Sequence, residues 1–113
     1  MNSTNLDYTM TALADQTRRA ILQRLSQGEA RVTDLAKPFD MSLNAVSKHI
    51  RILERARLVQ RRRKGREHFL SVNTEPLDEA GRWIDGFRRM WEIKLGRLDE
   101  YLKNLHQKSK KHQ

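Results

Sequence analysis

The chain has 113 residues, 37% of them hydrophobic and 33% charged, with no cysteine and a formal net charge of +9. That length allows one domain with a small core, which a partner subunit can extend. The lack of cysteine excludes disulfides, thiol nucleophiles and thiolate metal sites, and no apolar run reaches membrane-spanning length.

The start, Met1-Asn2-Ser3-Thr4-Asn5, has no signal-peptide core, so a cytoplasmic protein is expected. Residues 6–14 read as a helix with Leu6, Met10 and Leu13 on one face. Asp15 then caps a second helix, Gln16 to about Gln27, with Ile21, Leu22 and Leu25 on its apolar side and Gly28 as its stop. Arg18 and Arg19 read as solvated. Thr33 is the expected N-cap of a short third helix from Asp34, which Pro38 limits to one or two turns ending near Lys37.

The stretch from Ser42 to Ala56 reads as one amphipathic helix capped by the Ser42 hydroxyl. Leu43, Val46, Ile50 and Leu53 form its apolar stripe; Asn44, Lys48, Arg51 and Arg55 lie opposite, with no carboxylate among them. Asn can pair bidentately with adenine, and Lys or Arg with guanine, so such a face suits a DNA major groove. Taken alone, the pattern is also that of an ordinary surface helix. Its flanks decide between the two. A short helix and a three-residue turn precede it, which makes a helix-turn-helix.

After Ala56 the period changes. Leu58 to Arg63 and Arg66 to Val72 read as two strands joined at Lys64-Gly65, where Gly65 supplies a positive φ. The tip carries Arg61, Arg62, Arg63, Lys64 and Arg66, with Glu67 beside it. A cationic ribbon after a recognition helix is a wing, able to lie along phosphates. The competing reading is a charged edge hairpin that resists aggregation. Charge placement favours the wing. Residues 42–72 carry nine basic and two acidic side chains, a net +7, whereas residues 1–41 are net neutral. That is the electrostatic footprint of a polyanion-binding surface.

From Pro76 onward the chain is helical again. Leu77, Ala80, Ile84, Phe87, Trp91, Leu95, Leu98, Leu102 and Leu105 recur with a mean step of 3.5, the coiled-coil spacing, and Trp83 and Met90 widen the stripe. Glycines at 81, 86 and 96 allow a break near Gly81 to Gly86. One small protomer has little surface to cover this stripe, so it is expected to be a subunit interface. The expected organisation is a DNA-binding part over residues 1–75, a dimerisation helix over 76–106 in the same compact domain, and a flexible basic tail over 107–113.

Three stretches in this order resemble the ArsR-type winged helix repressors of bacteria. They are Leu13-Ala14-Asp15-Gln16-Thr17-Arg18-Arg19-Ala20-Ile21-Leu22, the run Asp40 to Leu53, and Leu58-Val59 leading into Arg61-Arg62-Arg63-Lys64-Gly65-Arg66. The resemblance implies a mainly α fold with a small β-hairpin, a winged helix-turn-helix in the order α-α-α-α-β-β-α with a C-terminal dimerisation helix. It further implies a homodimeric repressor whose Ser42–Ala56 helix enters the major groove of an inverted-repeat operator in double-stranded DNA. Base contacts are then expected from Ser42, Asn44, Ala45, Ser47, Lys48 and Arg51. Phosphate contacts are expected from Thr33, His49, Arg55 and Arg57, and wing contacts from Arg61, Arg62, Arg63, Lys64, Gly65 and Arg66. The dimer interface is expected from Leu6, Met10, Leu13, Ile84, Phe87, Trp91, Leu95, Leu98 and Leu102.

Three positions depart from the family pattern: Gln16 and Asn44 stand where proline is frequent, and Arg57 where glycine is usual. If the backbone at Arg57 is left-handed, the arginine costs roughly 1 kcal/mol. Many metal sensors of the family carry a cysteine pair in the third helix; here that stretch is Asp34-Leu35-Ala36-Lys37-Pro38-Phe39. His49, His68, His106 and His112 show no paired spacing with carboxylates that resembles a metal site, so no metal and no cofactor are expected. The alternatives are a metal- or ligand-gated repressor of the same fold and a protein-interaction module using the C-terminal stripe. An enzyme is disfavoured by the lack of a glycine-rich phosphate loop and of a Ser-His-Asp arrangement.

Overall fold

In a computed structural model, residues 3–111 are described, with side chains for residues 5–108. The element order is α1 (Ser3–Leu13), α2 (Gln16–Leu25), β1 (Ala30–Arg31), α3 (Val32–Ala36), α4 (Leu43–Arg55), β2 (Val59–Lys64), β3 (Glu67–Val72) and α5 (Glu75–Lys111). The chain divides into two units, Met1–Ala80 and Gly81–Gln113.

The first unit holds the core. Ile21, Leu25, Leu35, Val46, Ile50, Leu53, Leu58 and Leu70 are almost fully buried in one cluster, against which Tyr8, Leu22, Phe39 and Leu77 pack. Helix α1 enters this core through Ala12 and Thr9, both buried, whose small side chains allow close approach. Leu6 and Met10 are only half-buried and lie outside that cluster. Asp15 and Ser42 cap α2 and α4 as their sequence positions predict, accepting from the backbone N–H of Arg18 at 3.0 Å and of Ala45 at 3.1 Å. Thr33 does not cap α3. That helix begins two residues earlier than expected, with Arg31 in the cap position and no side-chain cap bond, because β1 runs straight into it. It ends at Ala36, with Lys37 as its C-cap immediately before Pro38.

The end of α4 is a Schellman motif. Leu58 N–H bonds the Leu53 carbonyl at 3.0 Å and Arg57 N–H bonds the Glu54 carbonyl at 2.9 Å. Leu53 and Leu58, the apolar pair that accompanies this motif, are both fully buried. The motif needs a left-handed residue, and Arg57 takes it with φ 62.

The sheet has three antiparallel strands in the order β1-β3-β2. Two-residue β1, with Ala30 opposite Leu70, is too short to show a period in the sequence. In the β2–β3 hairpin Lys64 faces Glu67 across a two-residue turn. Gly65 is its first residue, with φ 63, the placing that glycine has in a II′ turn.

Helix α5 contributes Leu77 and Ala80 to the first unit. It is unbroken from Glu75 to Lys111, so the glycines at 81 and 86 do not interrupt it. Each lowers helix propensity by about 1 kcal/mol relative to alanine without removing a hydrogen bond. The second unit is this helix alone. Its stripe is exposed throughout, from Ile84 at 50% through Trp91 at 48% to Leu98 at 51% and Leu105 at 45%. Trp83, Phe87 and Trp91 form an aromatic ladder, with ring centroids 5.4 and 6.1 Å apart. The expected tail of residues 107–113 starts inside α5, and its last two residues lie outside the described ones.

Candidate nucleic-acid interface

Helix α4 is held by its inner face and presents its outer one. Val46, Ile50 and Leu53 are fully buried, while Asn44, Lys48 and Arg51 are exposed and Ser47 and Ala45 half-exposed. Among the described residues, the side chains of Asn44, Ser47, Lys48 and Arg51 engage no hydrogen bond or ion pair within the protein. Ser42 spends its hydroxyl on the cap. Leu43 departs from the expected stripe: it is 50% exposed, because the core stops one turn short of the helix start.

Behind α4, Arg18 is not the solvated residue that its sequence position suggests. Its Nε and Nη2 donate to the carbonyls of Ala12 at 2.9 Å and Thr11 at 3.0 Å, satisfying the open end of α1. Its Nη1 lies 3.1 Å from Nδ1 of His49 on α4. A guanidinium can only donate, so Nδ1 is the acceptor in this contact. Asp15 Oδ2 lies 3.7 Å from the same Nδ1. The Arg18 N–H holds the Asp15 carboxyl below its usual pKa. Arg55, at the far end of α4, stacks 4.5 Å over the Tyr8 ring and donates to its hydroxyl at 2.9 Å.

The wing cations fall into two sets. Arg61 pairs with Glu54 at 2.9 Å, and Arg62 pairs with Glu29 at 2.6 Å while lying 5.3 Å over the Phe69 ring. The hydrogen bond from Arg62 pushes the Glu29 carboxyl below its ordinary value. Glu54 is seven residues from Arg61 and Glu29 is 33 from Arg62, so the linear pattern shows only Glu67 beside the tip. Glu67 turns to Arg31 instead, at 3.0 Å, and Arg31 also holds Asp34 at 2.9 Å. Arg63 bonds the Gly65 carbonyl at 3.0 Å, keeping its charge. Among the described residues Arg63, Lys64, Arg66, Lys48, Arg51 and Arg57 have no carboxylate within ion-pair distance.

A groove of about 270 Å³ separates α3 and the head of α4 from the hairpin, lined in part by Thr33, Leu43, Ser47, Arg66 and His68. The buried Nδ1 of His68 has no hydrogen-bond partner. No group of three or more His, Asp or Glu side chains among the described residues is placed to hold a metal ion. His106 lies on α5, and His112 lies outside the described residues. No described helix is long and apolar enough to cross a membrane.

A helix-turn-helix with an uncompensated polar and cationic outer face, followed by a cationic hairpin, defines a winged helix DNA-binding protein. Similarity to known proteins narrows the class. A family model described as a helix-turn-helix domain matches residues 13–62. The transcriptional repressor SdpR of Bacillus subtilis is 36% identical over 82 residues, covering 73% of this chain and 91% of its own. The crystal structure of an ArsR family transcriptional regulator superposes with a TM-score of 0.77 at 39% identity, over 81% of this chain and 95% of that one. The chain belongs to the ArsR family of helix-turn-helix transcriptional regulators, a family of DNA-binding proteins and not of enzymes. A homodimeric winged helix-turn-helix DNA-binding domain from Mycobacterium bovis, solved by NMR, matches with a TM-score of 0.59 at 25% identity, over 81% of this chain and 82% of its own. An arsenical resistance operon repressor of Staphylococcus xylosus is 33% identical, over 75% of this chain and 82% of its own.

Proposed function

We propose that this chain is a homodimeric transcriptional repressor, acting in the cytoplasm on an inverted-repeat operator. Helix α4 lies in the major groove and the β2–β3 hairpin lies against the backbone. The observation that carries the reading is the outer face of α4, where Asn44, Ser47, Lys48 and Arg51 are solvent-accessible and their side chains unengaged within the protein. Ser42 and Ala45 complete the base-facing set at the helix start, where recognition helices meet base edges. Thr33, His49, Arg55 and Arg57 flank it and meet phosphates. Of the wing, Arg63, Lys64 and Arg66 carry most of the phosphate contact, with Gly65 letting the turn approach, because Arg61 and Arg62 are already neutralised by Glu54 and Glu29.

Dimerisation is supported by the exposed stripe of α5, an apolar surface that a soluble monomer rarely leaves open. It joins Ile84, Phe87, Trp91, Leu95, Leu98 and Leu102, and on α1 Leu6, Met10 and Leu13 supply further apolar surface. The homodimeric state of the Mycobacterium bovis domain supports the same assembly, and the repressor role follows the Bacillus relative. We read this member as not gated by metal, although a similar protein is an arsenical resistance repressor. The support is the lack of cysteine in the chain, which removes thiolate ligands.

The test is base preference. Lys48→Ala and Asn44→Ala should each reduce the ratio of operator to random-duplex affinity about five-fold or more, since one such base contact is worth roughly 1–3 kcal/mol. An unchanged ratio in both variants would remove α4 from the groove. Operator affinity indifferent to chelators and to added arsenite would match the metal-independent reading, and loss of binding with arsenite would overturn it.

A further inference from the structure

Leu43 breaks the periodicity of its own helix. Its spacing puts it in line with Val46, Ile50 and Leu53, which are fully buried, yet Leu43 is 50% exposed. It is the first residue of α4, immediately after the Ser42 cap, and side chains there lean back past the helix start. Met41, two residues earlier, is 38% exposed. These two are the only exposed large apolar side chains among the described residues of the first unit. In the groove that Leu43 lines, three arginines, Arg31, Arg61 and Arg66, outnumber the one acid, Glu67, and the other apolar side chain, Val32, is half-buried. Thr33, Ser47 and Arg66 share the groove with Leu43, and Lys48 and Arg51 lie further along the exposed face of α4.

A lone leucine in a surface of net positive charge is poorly placed for an apolar protein partner, and the charge selects a polyanion. On the base edges of duplex DNA the apolar group is the C5-methyl of thymine, and it projects into the major groove. We infer that Leu43 is a specificity-determining residue that packs on a thymine methyl in each half-site, with Met41 flanking it. This rests on the groove assignment of α4 made above. Packing the isobutyl group on the methyl removes both from water. A cytosine at that step would instead turn its N4 donor toward a side chain unable to accept it. The preference therefore has an attractive part, the methyl, and a repulsive part, the unpaired donor.

The experiment replaces each thymine of a selected operator, one at a time, with deoxyuridine, which keeps the pairing and removes only the methyl. The wild-type protein should lose about four-fold in affinity per half-site at one thymine, the value of one buried methyl. Leu43→Ala should bind the thymine and deoxyuridine duplexes equally at that step, and Leu43→Met should restore the difference. Wild type with operator preference intact but no thymine whose effect depends on residue 43 would overturn this inference and leave the groove assignment standing. No sequence preference at all would overturn both. Leu43 is solvent-exposed, so the variants should keep the far-UV spectrum and the salt dependence of wild type.

Discussion

Replacing Arg57 with glycine should make the protein more stable and a weaker DNA binder at once. Arg57 sits at φ 62, the one non-glycine residue with positive φ among the described residues. A side chain in this left-handed region costs roughly 1–2 kcal/mol. Glycine removes that cost but has more freedom to lose on folding, which takes back roughly 0.5–1 kcal/mol. The net gain is about 0.5–1 kcal/mol. Little opposes it, because the Arg57 side chain is exposed and the residue is held through its backbone. Its N–H bonds the Glu54 carbonyl at 2.9 Å, and its own carbonyl accepts from Asn73 Nδ2 at 3.0 Å. Glycine keeps both bonds. Urea unfolding at fixed protein concentration reads the change as a higher midpoint with an unchanged slope. Arg57→Ala is the control. It removes the same side chain and keeps a Cβ, so it should not stabilise. In DNA titrations both variants lack a cation, and the slope of log K against log salt should fall by about one for each phosphate no longer neutralised. Equal stability of the glycine and alanine variants would refute the strain argument.

The remaining predictions concern the wing, the caps and the assembly. Arg66→Gln or Lys64→Gln should lower the salt slope by about one per protomer, or about two in a symmetric dimer, whereas Arg61→Gln should change it less because Glu54 already holds that guanidinium. Equal slopes for both kinds of variant would contradict that division of the wing. Asp15→Ala should destabilise by about 1 kcal/mol at neutral pH through loss of the α2 cap. The folded-state pKa of Asp15 is depressed, so the stabilisation it gives is fully present above about pH 4 and is lost as pH falls through the lower folded value. Asp15→Asn keeps a capping oxygen and should flatten that acid limb, which pH-dependent unfolding will show. Trp91→Asp or Leu98→Asp should halve the mass measured by light scattering at micromolar concentration and lower operator affinity. Ile93→Asp should do neither, since Ile93 lies about 200° round the helix from Trp91.

Much of this molecule is legible in its sequence because its signals are local. Ser42 and Asp15 mark helix starts through a bond to a backbone N–H three residues on, and Gly65 marks a tight turn through its own φ. Pro38 ends α3 for an equally local reason. The features that are not legible depend on pairing between distant segments. Two-residue β1 exists only because Ala30 and Arg31 pair with Leu70 and Phe69. The neutralisation of Arg62 by Glu29 and the bracing of His49 by Arg18 join residues 33 and 31 positions apart. Leu43 fits the helical period of the buried stripe, but period does not tell where the core ends. The continuity of α5 past Gly81 and Gly86 shows that a lowered propensity is not a break when every backbone bond can still form.

The most direct test of a dimeric, sequence-reading repressor is a titration of the 113-residue chain against three duplexes at one salt concentration: the selected inverted repeat, a single half-site and a random sequence. Two chains should bind the inverted repeat, more tightly than one half-site and about 10³-fold or more above the random duplex. A single chain bound to a half-site as tightly as to the full repeat would contradict the dimeric reading. Equal affinity for the repeat and the random duplex would contradict the assignment of α4 as the element that reads the sequence.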